Sequence, residues 1–75
     1  MIEDMLGMDD MGQIFDVTDA LEIDREIIRV ELTKEDPGSV VERLDGMIEI
    51  VVPLTLPVES WLPTLKSELE GLGYG

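Results

Sequence analysis

"DPGSVVERLDG" (residues 36–46) leads directly into "MIEIVVPLTL" (residues 47–56), and whether the first run is helix or strand decides the fold. Asp36 can cap a helix whose first residue is Pro37, where the missing N–H is no loss. Ser39 and Glu42 fit an S-x-x-E capping box one turn later, and Gly46 suits a left-handed helix end. Val40, Val41 and Leu44 then share one face. The alternative is a strand entering a two-residue hairpin at Asp45-Gly46. That register sets Glu42 opposite Glu49, and like charges facing each other are destabilising. The balance predicts a short helix at 37–45.

Residues 47–56 are β-branched and nearly all apolar, the pattern of a central strand covered on both faces. Pro53 removes a ladder donor, so regular pairing should stop there. Downstream, "ESWLPTLKSELEGLG" (59–73) places Trp61, Leu62, Leu65, Leu69 and Leu72 on one helical stripe. Ser60 is the expected cap, Pro63 falls in the first turn, and Gly71 and Gly73 close the helix.

Upstream signals are weaker. Residues 1–11 read as a short helix with Ile2, Met5, Leu6 and Met8 on one side, weakened by Gly7 and Gly12. "QIFDV" (13–17) reads as a short strand or extended segment. "ALEI" (20–23) and "EIIRVEL" (26–32) read as a hairpin turning at Asp24-Arg25, with Ile28, Val30 and Leu32 alternating with polar residues. The expected fold is α+β. A three- or four-stranded sheet carries an amphipathic C-terminal helix packed on it and a short helix at 37–45, and a β-meander plus C-terminal helix is the alternative. Residues 1–12 form a Met-rich acidic arm and 13–75 a single small domain.

Seventy-five residues bury a limited core, and small folds usually add disulfides, a metal or a partner subunit. Cysteine and histidine are both absent, which excludes disulfides and thiolate zinc sites and removes the commonest metal ligand and general base. Association with another chain is the remaining staple. At 44% apolar residues the chain is too hydrophobic for a disordered acidic tail.

Eighteen acids against five bases give a formal net charge of −13. The first 24 residues carry eight acids and no base, so they hold −8 of that charge. Such a surface repels nucleic acid and anionic membranes and attracts basic surfaces. A halophilic host would also give an acid-rich, lysine-poor surface. No basic segment precedes an apolar run at the N-terminus, and the longest apolar run, interrupted by Pro53, is too short to span a bilayer. The expectation is a soluble protein acting in the cytoplasm or in a particle assembled there.

Chemistry-bearing motifs are thin. "DDMGQIFDVTDALE" lacks the calcium-loop spacing, the serines have no histidine or cysteine partner, and the glycines form no phosphate cradle. No cofactor, metal or enzymatic activity is expected. Binding is better supported, because methionine is flexible and polarizable and recurs at adaptable interfaces. Met1, Ile2, Met5, Leu6, Met8 and Met11, rimmed by Asp9 and Asp10, suit an apolar partner surface with basic edges. Trp61 and Tyr74 are further candidate contacts. The sequence therefore predicts a non-enzymatic acidic accessory subunit of a multi-subunit enzyme or virus particle, held through its N-terminal arm in a hetero-oligomer. The alternative is a nucleic-acid mimic whose carboxylates occupy the basic groove of a DNA- or RNA-binding protein.

Overall fold

A computed structural model describes residues 5–74 of the chain. Its elements in chain order are α1 (Met8–Ala20), a 3-10 turn (Arg25–Ile27), β1 (Ile28–Val30), β2 (Ser39–Glu42), β3 (Ile48–Val51) and α2 (Val58–Gly71). The architecture is α+β. Among the described residues the three strands form one sheet in the order β1-β3-β2, with β3 parallel to β1 and antiparallel to β2.

Residues 39–42 are a strand, so the helix expected at 37–45 is corrected to the hairpin reading. Loop length removes the objection that counted against it. Arg43 N–H donates to Met47 O at 2.7 Å and Gly46 N–H to Arg43 O at 3.0 Å, closing a three-residue loop with Gly46 at φ +90°. This is a turn followed by a glycine bulge. The additional loop residue shifts the register by one, pairing Glu42 with Ile48 and Val41 with Glu49. The two glutamates no longer face each other, and Arg43 instead forms a 3.2 Å ion pair with Glu49. Asp45 fixes the turn by accepting from Met47 N–H at 3.0 Å.

Asp36 does not cap a helix. Its Oδ1 accepts from the backbone of Leu54 at 2.8 Å and of Thr55 at 3.2 Å, and from the Thr55 hydroxyl at 3.3 Å. One carboxylate thus organises the loop that links β3 to α2. Gly38, at φ +76°, lies so close to Pro53 that an added Cβ would stand 2.7 Å from the proline Cδ.

β3 is the central strand, as the β-branched run predicts, and pairing fades at Pro53. Ile48 and Ile50 are fully buried, whereas Glu49 and Val51 are half-buried. Coverage is therefore complete on one face only. Three rows cross the sheet: Ile28–Ile48–Glu42, Arg29–Glu49–Val41 and Val30–Ile50–Val40. The first and third lie under the helices, and the middle row belongs to the outer face. With strand order β1-β3-β2 the sheet is not a meander.

"QIFDV" lies inside α1, a correction of the expected strand. Ile14 and Thr18 are buried one turn apart, with Val17 and Leu21 packed beside them. The polar letter of Thr18 hides the stripe; its hydroxyl donates to Phe15 O at 3.1 Å and is thereby satisfied in the core. The helix starts at Gly7, whose N–H donates to Asp10 Oδ2 at 3.1 Å, and Asp9 and Asp10 in the first turn suit the helix dipole. The hairpin expected over 20–32 is also corrected. Residue 20 ends α1, and Asp24 caps the 3-10 turn by accepting from Glu26 N–H at 2.9 Å. Only residues 28–30 of that run are strand.

α2 begins one turn earlier than expected, with Pro57 rather than Ser60 at the cap position, so Pro63 falls in the second turn. Val58, Trp61, Leu65 and Leu69 are buried and Leu62 packs at the margin. Both helices end in the same six-residue motif. In α2, Tyr74 N–H reaches Leu69 O and Gly73 N–H reaches Glu70 O, with Gly73 left-handed. In α1, Ile23 N–H reaches Thr18 O and Glu22 N–H reaches Asp19 O, and here the left-handed residue is Glu22, at φ +60°.

Candidate functional site

The expected contact residues fall into two groups. Met1 and Ile2 lie outside the described residues. Met5 makes an antiparallel bridge to Thr33, and Leu6 N–H donates to Leu32 O at 2.7 Å while its side chain packs on the core. Residues 5 and 6 are thus seated on this chain's own body. Met8, the first residue of α1, is 92% exposed, and its neighbour Asp9 is exposed too. Met11 and Asp10 are half-buried. Helical spacing places Met8, Met11 and Phe15 along one flank, and α1 runs unbroken across residue 12.

That flank ends in a small polar assembly. The Arg25 guanidinium lies 4.7 Å from the Phe15 ring centroid and grips Asp19 through two hydrogen bonds, of 2.6 and 3.1 Å. The Arg25 hydrogen bonds, opposed by slight burial, hold the Asp19 carboxyl below its ordinary range, and Asp19 in turn raises Arg25.

Trp61 and Tyr74 sit elsewhere. Trp61 is 4% exposed and belongs to the core. Tyr74 is half-buried against the core and donates its phenolic proton to Glu42 Oε2 at 2.8 Å. That hydrogen bond, followed by burial and by the charge on Glu42, pushes the phenol above its usual value.

Two surfaces escaped the sequence. A groove of about 230 Å³ between the helices is lined by Gln13, Asp16, Val17, Ala20, Leu62 and Lys66. Its signal was the i, i+3, i+4, i+7 spacing within 13–20, obscured by reading 13–17 as strand. The second is the outer face of the sheet, where Arg29, Arg43, Asp45, Met47 and Glu49 line a depression of about 530 Å³. Leu44 stands fully exposed at the nearby hairpin tip.

Among the described residues no group of three or more carboxylates converges to hold a metal ion. No described helix is long and apolar enough to cross a membrane. Among the described residues, Asp19 and Arg25 with shifted titration form an exposed pair, and half-buried Tyr74 faces exposed Glu42. Compared with known families, curated proteins and solved structures, the chain matches none of them.

Proposed function

We propose that this chain is a non-enzymatic accessory subunit that binds a larger protein through the exposed methionine at the start of α1. The observation behind this reading is Met8, 92% exposed beside the exposed carboxylate of Asp9. A large flexible apolar side chain in an acidic setting suits an apolar surface with basic edges, where acids speed encounter and the thioether supplies buried area. Partial neutralisation of the α1 acids by Arg25 at Asp19 favours this reading over nucleic-acid mimicry, which needs free carboxylates in rows. The same reading places the protein in the cytoplasm or in a particle assembled there.

Affinity purification of the tagged chain from its host, with mass spectrometry of what accompanies it, identifies the partner. Met8→Glu should then weaken that complex by about tenfold or more while leaving the circular dichroism spectrum and melting unchanged. Retention of the partner at undiminished affinity by this variant would overturn the reading.

A further inference from the structure

We propose that the groove between α1 and α2 receives an apolar side chain from a basic amphipathic helix of a partner protein. Val17, Ala20 and Leu62 form its apolar floor, and Gln13, Asp16 and Lys66 its walls. At about 230 Å³ the groove is smaller than small-molecule sites, which run from roughly 300 to 1,000 Å³, and instead matches one protruding side chain. Helix-in-groove recognition supplies such knobs at i, i+3, i+4 and i+7.

Charge selects the occupant. Asp16 forms part of the wall, Asp9 lies one turn before Gln13, Glu59 one turn before Leu62, and Glu70 one turn after Lys66; all four are exposed. Against these, Lys66 is the lone base in the lining. A second copy would bring its own excess of acids to this place, since each chain carries −13. A helix with an aliphatic stripe flanked by lysine or arginine complements both the floor and the rim. The groove lies on a different side of α1 from the flank bearing Met8; the two contacts share only the carboxylate of Asp9, so either can be lost without the other.

The test titrates the full ¹⁵N-labelled chain with a synthetic helix of about 16 residues of leucine and lysine, its leucines at i, i+3, i+4 and i+7. A scramble of the same composition without the stripe serves as control. Chemical-shift changes should concentrate in residues 13–20 and 59–70, and the striped peptide should bind at least about tenfold tighter than the scramble. Ala20→Glu separates shape from charge. It adds bulk to the groove and also one more acid, so docking loses about tenfold in affinity whereas mere attraction of a polycation is unchanged or tightened. Equal binding of the scramble, shifts spread over the whole chain, or unchanged or tightened affinity in Ala20→Glu would each overturn the proposal. So would shifts at these residues on concentrating the chain alone, which would assign the groove to a second copy.

Discussion

Tyr74 and Glu42 are joined by a 2.8 Å hydrogen bond that fastens the turn closing α2 to the edge strand β2. The bond requires the protonated phenol, and it raises the Tyr74 titration above the ordinary value of about 10. Because the folded value exceeds the unfolded one, the contribution is fully present below about pH 10 and is lost as pH rises through the folded value. Tyr74→Phe removes it. The stability gap between the two proteins, from urea unfolding, should be constant near neutrality and close in strong alkali. Absorbance titration of the single tyrosine reads the same shift directly.

Asp19 gives the opposite sign. Arg25 depresses its carboxyl, so its contribution is present above the unfolded value of about 3.9 and disappears as pH falls through the lower folded value. Asp19→Asn should be less stable than the parent at neutral pH. The difference should vanish in acid, as followed by thermal melts across that range.

Glu22 is an L-residue in the left-handed position that closes α1. That conformation costs about 1–2 kcal/mol outside glycine, part of which glycine returns through its freer unfolded chain. Glu22→Gly should therefore stabilise the protein by about 0.5–1 kcal/mol, seen as a higher urea midpoint with an unchanged slope.

Gly38 and Gly46 share a positive φ but differ in surroundings. A Cβ at Gly38 would lie 2.9 Å from both Pro53 N and Val51 O, whereas at Gly46 it would meet nothing within 4 Å. Gly46→Ala should cost only the conformational term, about 1–2 kcal/mol. Gly38→Ala adds a backbone clash and should cost about 3 kcal/mol or more, a large share of the stability of so small a domain. Paired denaturant melts compare them.

Asp36 accepts two backbone N–H groups and one hydroxyl from the loop before α2. Asp36→Ala should cost about 1–2 kcal/mol and speed hydrogen exchange at Leu54 and Thr55. Asp36→Asn keeps an acceptor oxygen and should lose much less.

Legibility in the sequence followed the local physics. The stripe of α2 and its Gly73 stop were readable because glycine announces a left-handed residue, whereas the identical stop in α1 was hidden behind Glu22. β3 was readable from its β-branched run. Its partner β2 was not, because Asp36, Pro37 and Ser39 imitate a helix start and only the three-residue loop frees Glu42 from Glu49. Thr18 spoke for a polar position while filling a core one, which disguised α1 and with it the groove beside Val17 and Ala20. For the contact residues, sequence pointed to the methionines; it could not tell that Leu6 turns inward while Met8, two places on, turns out.

The strand order has a consequence for how this sheet comes into being. Both ladders run through residues 48–51, so β1, made first, finds its neighbour only across a separation of twenty positions, at Ile28 and Ile48. A nascent chain emerging from the ribosome can close no rung of the sheet until Ile48 is out, and until then β1 and β2 must wait unpaired.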